Sequence, residues 1–383
     1  MKEMKIVIDA SCLLINRYSG LSEVVHNLLL HLPYIDSNNE FTLFINYFRN
    51  SSMTDDISYP ETINHFCRVP RRLMFLWWKF AWPSIDFCLT QKDIYHSLHI
   101  QIPPTKKIKT ILTVHDCRFL ALPNLYSQHE VEKYKKQMAI SLARADMVTT
   151  VSEFTRKEIL NYFSFPEDRI RVIQNGFNSS FMGKNYGQEE ENTFIERNNI
   201  PQTYLLYIGS LDPRKNLERL IEAIARCKKE TPDFPDLAVA GISQQQWFNS
   251  NLAISAKDLG LTDHIHLCGM VEKSILFGLI KNALALCYPS LYEGFGFPPL
   301  EAMSLGVPVL AGKRSSIPEV TGQAACLIDP LSIDEIAQGL GRLVFDSSLR
   351  QRLSELGYEQ VKKFSWRKAA YEYTDLYKEV LNS

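Results

Sequence analysis

The sequence is most informative first in what it lacks. Its eight cysteines (Cys12, Cys67, Cys88, Cys117, Cys227, Cys268, Cys287 and Cys326) never form a C-x-x-C pair. That scatter excludes a zinc-ribbon or disulfide framework read from spacing, and the thiols read as small core residues in a reducing compartment. No apolar run approaches the roughly 18 residues that span a bilayer. The opening Lys5-Ile6-Val7-Ile8-Asp9 brings an acid too early for a signal peptide and reads as a first buried strand. Net charge is −1 and the pI about 6.8, so bulk charge gives no reason to expect a nucleic-acid partner. Low-complexity stretches and long repeat periods are missing as well. There is no Asp-x-Asp anywhere, so a divalent metal held by paired carboxylates against a diphosphate is not indicated. The pairs His96/His99 and His264/His266 come with no matching carboxylate or cysteine cluster in the sequence.

What is present is an ordinary globular composition, 45% hydrophobic and 22% charged, on a chain of 383 residues. That length calls for two domains. Short apolar runs alternate with helical patterns, which predicts parallel sheets covered by helices. In the first half, strands are predicted at residues 5–8, 41–45, 94–95, 110–114, 147–151 and 170–173, with helical stretches such as 23–31 and 130–143 between them. Asn175-Gly176 breaks the pattern, and the polar, acidic stretch 183–199 reads as a linker region. A second series follows at 204–208, 236–240, 264–267, 284–288, 307–310 and 325–328. The chain ends in an amphipathic helix over 366–381 that could pack on either domain. Ligands of open parallel sheets bind beyond the carboxyl ends of the strands, and two such domains facing each other would place one ligand in a cleft between them.

The densest chemical signal is the run Glu293-Gly294-Phe295-Gly296-Phe297-Pro298-Pro299-Leu300-Glu301, which follows a predicted strand and ends with Gly306. The glycines permit close backbone approach to a ligand, and the prolines suit a helix start at Pro298 or Pro299. The N-terminus of that helix would present unpaired N–H groups and partial positive charge to an anion such as a diphosphate. Glu301, expected in the first turn, could cap the helix or bind a ribose diol; the bland alternative is a capping Glu and an exposed Glu293. A second signal, Asp212-Pro213-Arg214-Lys215-Asn216, follows the first strand of the second half. Its adjacent cations could neutralise a departing diphosphate, or could be a solvated pair on a turn. Weaker signals are the Ser19-Gly20-Leu21-Ser22 loop, where a diphosphate could approach Gly20, and His115-Asp116 at a strand end. A lone His is more often structural, and Ser152 could equally be a helix N-cap. Finally, residues 68–82 mix Arg68, Arg71, Arg72 and Lys79 with large aromatics such as Trp77 and Trp78. Such a segment suits an anionic membrane surface or a lipid-linked acceptor, or else an internal helix with a basic edge.

With these residues in place, the chain resembles the retaining family 4 glycosyltransferases, whose GT-B fold sets two Rossmann-like domains around a central cleft. The resemblance runs over nearly the whole length, through Val114-His115-Asp116, Val151-Ser152-Glu153-Phe154-Thr155, Gln174-Asn175-Gly176, Pro213-Arg214-Lys215-Asn216 and the E-x7-E signature Glu293/Glu301. It implies domains over 1–182 and 183–365, the first binding the acceptor and the second the donor, with the helix 366–383 crossing back to the first. It implies that Arg214 and Lys215 hold the diphosphate and that Glu301 binds the ribose. Glu293 and the backbone of Phe295, Gly296 and Phe297 would bind the transferred sugar, His115 would lie near the reaction centre, and Val271 would pack the nucleotide base. Ser210 stands where many members carry Arg, so Arg214 would substitute; Gly20 is followed by Leu21, Ser22 and Glu23 where members often have a second glycine and Arg. The resemblance to bacterial mannosyltransferases of surface polysaccharide synthesis implies a cytoplasmic enzyme, peripheral to the inner face of the membrane. It would be cofactor-free, with GDP-mannose as donor and a saccharide or lipid-linked oligosaccharide as acceptor. UDP- and dTDP-sugars, a nucleotide-sugar epimerase and an inactive sugar-nucleotide binding subunit are the alternatives.

Overall fold

The protein is described by a computed structural model covering residues 3–14, 20–46, 59–80, 82–177 and 188–383. The chain divides into two compact units, Met1–Asn178 with Phe364–Ser383, and Ser179–Lys363. In the first unit the strands are β1 (Lys5–Asp9), β2 (Glu40–Asn46), β3 (Thr62–Cys67), β4 (Ile94–Ser97), β5 (Lys109–Val114), β6 (Met147–Thr150) and β7 (Ile170–Val172). They form one seven-stranded sheet in the order β3-β2-β1-β4-β5-β6-β7, and every pairing is parallel. The second unit contains β8 (Tyr204–Ile208), β9 (Asp236–Ala240), β10 (Ile265–Gly269), β11 (Ala285–Tyr288), β12 (Val309–Gly312) and β13 (Cys326–Ile328). These too are all parallel, in the order β10-β9-β8-β11-β12-β13.

The apolar runs of the sequence become strands because helices cover both sheet faces, so residues such as Ile6, Ile8, Leu112, Leu206 and Val309 are fully buried whichever way they point. β3 escapes sequence reading for the same physical reason in reverse. It is the edge strand, Thr-Ile-Asn-His-Phe-Cys, with Ile63 and Phe66 exposed, so it carries no buried apolar run. The stretch read as a linker is partly a helix, Gln188–Arg197, whose Phe194 and Ile195 are half-buried and which packs on the helix Lys273–Asn282. Its three consecutive acids near the start, Glu189, Glu190 and Glu191, are what made it read as linker. Residues 183–187 of that stretch lie outside the described residues.

The terminal helix Trp366–Asn382 packs on Gly20–Ile35 in the first unit. Its buried face, Trp366, Ala369, Ala370, Tyr373, Leu376, Tyr377 and Val380, follows the helical repeat. Two of its tyrosines reach a buried polar network. His96 Nδ1 meets Tyr377 Oη at 2.8 Å, and His96 Nε2 meets Thr113 Oγ1 at 2.7 Å. Thr113 Oγ1 in turn meets Thr149 Oγ1 at 2.6 Å. Burial pushes the His96 imidazole down to about 3, so it stays neutral and uses one nitrogen to donate and the other to accept. The network therefore joins β4, β5 and β6 to the last helix, and His96 is a structural hydrogen-bonder.

Gly176 lets that helix dock. A Cβ at this position would lie 2.0 Å from the Trp366 backbone nitrogen and 2.4 Å from its Cα. Backbone cannot yield as a flexible side chain can, so Gly176→Ala is expected to destabilise the protein by about 2–4 kcal/mol. The urea unfolding midpoint measures this, and an unchanged midpoint would show that the contact does not hold the helix.

Candidate active site

In the second sheet the strand order reverses direction between β8 and β11, the place where an open parallel sheet forms a crevice at its carboxyl edge. Both strong sequence signals emerge there. β8 runs into Gly209-Ser210-Leu211 and then a short 3-10 turn, Pro213–Lys215, capped by Asp212, whose carboxylate accepts the Arg214 amide at 3.0 Å. Proline at the first position of this turn fixes its backbone for the purpose. Asn216 ends the turn in the left-handed region, with φ of 61°, and its amide donates to the carbonyls of Pro289 and Pro330 at 3.0 and 2.6 Å. The cation-bearing turn is thus tied to the loops beyond β11 and β13.

From the other side, β11 leads through Pro289-Ser290 to Glu293, which is buried. Glu293 Oε2 accepts from Arg214 Nη1 at 2.9 Å, and Oε1 accepts from Lys215 Nζ at 2.7 Å. Asp212 Oδ2 holds Arg214 Nε at 2.9 Å, and Tyr288 Oη holds Lys215 Nζ at 2.8 Å. Burial alone would raise the Glu293 carboxyl, but the Lys215 and Arg214 charges outweigh it and hold the group at about 2. Both cations are anchored on carboxylates rather than solvated, with burial lowering the Lys215 ammonium and Glu293 partly offsetting it, so the solvated-pair alternative does not describe them. Ser315 Oγ accepts the Glu293 amide at 2.9 Å, while Ser316 Oγ donates to the carbonyls of Glu293 and Phe295 at 2.8 and 2.9 Å.

The glycine loop then turns into the helix Phe297–Ser304. Gly296 is its N-cap, with φ of 115°, and a Cβ there would meet Ile317 Cδ1 at 2.7 Å. Only glycine enters this turn without strain. The helix starts one residue earlier than the prolines suggested and ends at Ser304. Glu301 is consequently its fifth residue, beyond the first turn, and does not cap it; the carboxylate-bearing residue is instead buried inside the unit. Phe295 is buried and Phe297 half-buried, their rings 5.3 Å apart. Val271, half-buried, lies in the turn between β10 and the helix Lys273–Asn282.

The remaining site candidates belong to the first unit. His115 follows β5, where its Nε2 donates to the Leu98 carbonyl at 3.1 Å, which leaves Nδ1 as the ring's acceptor atom. Burial, partly offset by Asp116, lowers the imidazole to about 4, so it is neutral at pH 7. It lines a cavity of about 370 Å³ together with His99, Asp116, Arg118, Lys133 and Tyr134. Gly20 is the exposed first residue of the helix Gly20–Ile35, while Ser19 and the loop before it lie outside the described residues. Ser152 is the N-cap of Glu153–Tyr162, accepting the Thr155 amide at 3.1 Å.

Sequence reading missed the residues that position the cluster: Asp212 as cap and ion partner, Tyr288, Asn216 and the Ser315/Ser316 pair. Asp-Pro ahead of two cations was a legible cap signal for Asp212; nothing marked the serines, which lie more than twenty residues from Glu293. The histidine pair expected to lack a carboxylate does have one. His264 Nδ1 and His266 Nε2 do have a carboxylate, Asp236, at 2.8 and 2.9 Å. It is brought from the start of β9, and Lys228 Nζ shares its Oδ1 at 2.9 Å, so the group is an ion-pair cluster.

The depressed Glu293 carboxyl has a consequence for stability. In the unfolded chain the group titrates near its ordinary 4.5, in the folded chain near 2. Its contribution is therefore complete above about pH 4.5 and lost as pH falls toward 2. Glu293→Gln leaves Lys215 without its counter-charge and Arg214 with Asp212 alone, and is expected to cost about 3–5 kcal/mol at neutral pH. Urea unfolding of both proteins should show that gap narrowing as pH falls from 5 toward 3 (roughly the span of the shift); a gap independent of pH would contradict the pairing.

Comparison with known proteins agrees with this geometry. The family models of glycosyl transferases group 1 and of glycosyltransferase family 4 match residues 188–360 and 18–181. O-antigen chain mannosyltransferase B of Escherichia coli is 32% identical over 300 residues, covering 78% of this chain and 76% of that protein. The serotype-specific mannosyltransferase WbdA of Escherichia coli is 27% identical over 69% of this chain, which spans 32% of that longer relative. Among solved structures, sucrose-phosphate synthase of Thermosynechococcus elongatus superposes with a TM-score of 0.76 at 20% identity, over 100% of both chains. A shared fold over the whole length, both family models and a strand-end site of two cations on one carboxylate lead to one assignment: the chain belongs to the family 4 glycosyltransferases, hexosyltransferases of the GT-B fold.

Proposed function

We propose that the protein is a retaining mannosyltransferase that moves mannose from GDP-mannose to a hydroxyl of a saccharide or lipid-linked oligosaccharide, without metal or cofactor. The observation that carries this reading is the convergence of Arg214 and Lys215 on Glu293 at the carboxyl edge of the second sheet. The mannosyltransferase relatives support the sugar, and the cation pair, in a sequence without Asp-x-Asp, supports charge neutralisation by side chains. The donor diphosphate would sit against Arg214, Lys215 and the N-terminus of Phe297–Ser304, with Glu301 toward the ribose and Val271 toward the base. Glu293, with Phe295, Gly296 and Phe297, would position the mannose. Gly20 would approach the diphosphate and His115 the transferred sugar, its neutral ring offering an acceptor nitrogen to a sugar hydroxyl. The reaction would run on the cytoplasmic side of the membrane that presents the acceptor.

In this mechanism the acceptor oxygen attacks the anomeric carbon from the face that the diphosphate leaves. The carbon–oxygen bond to phosphate breaks, the new glycosidic bond forms, and the hydroxyl proton passes to a phosphate oxygen of departing GDP. The main stabilising contribution is the fixed positive charge beneath the leaving group. Glu293 orients the sugar and forms no covalent bond.

Thermal-shift measurement with GDP-, UDP- and dTDP-sugars tests the donor first. A donor at about 100 times its Kd stabilises the protein by about 2.7 kcal/mol. GDP-mannose is expected to give the largest rise in Tm, and a larger rise with a UDP- or dTDP-sugar would overturn that assignment. Turnover then tests the roles. Lys215→Ala is expected to lower kcat by about a hundredfold or more, and Glu293→Ala to do likewise with donor and acceptor saturating. Near-normal turnover in Glu293→Ala would refute its positioning role. An epimer released without acceptor, or donor binding with no turnover at all, would replace the transferase reading altogether.

A further inference from the structure

His115 does not hold its orientation alone. β4 ends at Ser97, which pairs in register with Leu112 of β5, and His115 follows Leu112 by three residues. The turn that leaves β4 therefore runs beside the imidazole, and its Leu98 carbonyl accepts from His115 Nε2 at 3.1 Å. A carbonyl can only accept, so this contact places the ring proton on Nε2 and leaves the lone pair on Nδ1. Leu98, His99 and Ile100 line the same cavity as His115. Whatever holds the Leu98 carbonyl also holds the ring.

The Ser97 hydroxyl closes this turn. Ser97 is fully buried, and its Oγ lies 2.7 Å from the carbonyls of both His99 and Gln101, between which its single proton is shared. The same Oγ accepts the His99 amide at 3.3 Å. These contacts bracket Leu98, whose side chain is buried as well. Beyond the turn, the helix Gln128–Arg144 pins Ile102: its amide donates to Ser141 Oγ at 3.2 Å, and its carbonyl accepts from Arg144 Nη1 at 3.0 Å. One residue before Ser97, on the opposite face of the strand, His96 ties β4 to β5 through Thr113. Serine side chains close turns on the backbone in many proteins. Here the bracketed residue is the one whose carbonyl carries the His115 proton.

We propose that Ser97 is a positioning residue of the transfer reaction. By closing the turn over 97–101 it holds the Leu98 carbonyl against His115, and so turns Nδ1, the accepting nitrogen, toward a hydroxyl of the transferred sugar. This rests on the reading in which His115 meets that sugar, and two measurements keep the claims apart. The first needs no turnover: proton–nitrogen NMR of the full chain carrying isotope-labelled histidine, with His115 assigned from His115→Ala. Wild type is expected to carry the ring proton on Nε2, protected from water, and Ser97→Ala to exchange it about tenfold faster. A proton on Nδ1 in wild type, or equal exchange in both proteins, would overturn the proposal. The second is turnover, read as GDP release from GDP-mannose. Ser97→Ala is expected to slow it about tenfold while the Kd for GDP stays within about twofold. In a His115→Ala background the same substitution should cost less than about twofold more, because Ser97 acts through that ring. Equal losses in the two backgrounds would show a general structural role and overturn the proposal. Should Ser97→Ala not fold, Ser97→Cys, of similar shape and with a weaker donor, carries both tests with smaller losses. No GDP release even in wild type would count against the transferase reading, not against the Ser97–His115 coupling, which proton exchange decides by itself.

Discussion

One carboxylate shared between two cations organises the second unit. Glu293 arrives from the loop after β11, and Arg214 and Lys215 arrive from the turn after β8. Glu293 lies outside helix and strand and the cations sit on a short capped turn, so the pairing joins the two strand-end segments. The charges hold because every member is satisfied: Asp212 on the Arg214 side, Tyr288 on the Lys215 side, and two serines on the Glu293 backbone. A buried carboxylate with one partner missing would be a liability, whereas a fully paired one is rigid. That rigidity is what a transferase needs beneath a leaving group, since charge fixed in advance requires no rearrangement as the bond breaks.

In the proposed function, the same cluster would let an almost neutral chain bind a strongly anionic donor. Asp212 and Glu293 together balance Arg214 and Lys215, so the cluster is formally electroneutral. A diphosphate seated there would compete with the carboxylates for the same N–H groups. Binding energy then depends on direction and distance more than on net attraction, which favours specificity over indiscriminate anion capture.

Much of this was legible in the sequence, and the exceptions have physical causes. Every buried strand announced itself as an apolar run because parallel strands covered on both faces admit few polar residues beyond hydrogen-bonded ones such as His96, Thr113 and Thr149. β3 stayed silent because an edge strand has only one neighbour and keeps Ile63 and Phe66 in solvent. The helix Gln188–Arg197 was hidden by its acids, since it buries little more than Phe194 and Ile195. At the site, Glu293, Arg214 and Lys215 stood out because charged residues next to glycine and proline at strand ends are poor core material. Glu301 was placed one or two residues too early in its helix because prolines mark a first helical turn without saying which residue begins it. Asn216, Ser315, Ser316 and the Asp236 partner of His264 were beyond reach, since each acts on a residue that only the folded sheet brings near.

In the proposed function the paired cations Arg214 and Lys215 are the seat of the donor diphosphate. A crystal structure of the protein with bound GDP tests it most directly. The account predicts phosphate oxygens within hydrogen-bond distance of Lys215 Nζ and the Arg214 guanidinium, about 2.7–3.2 Å, at the start of the helix Phe297–Ser304. A diphosphate bound elsewhere, with Arg214 and Lys215 still paired only with Glu293, would contradict it.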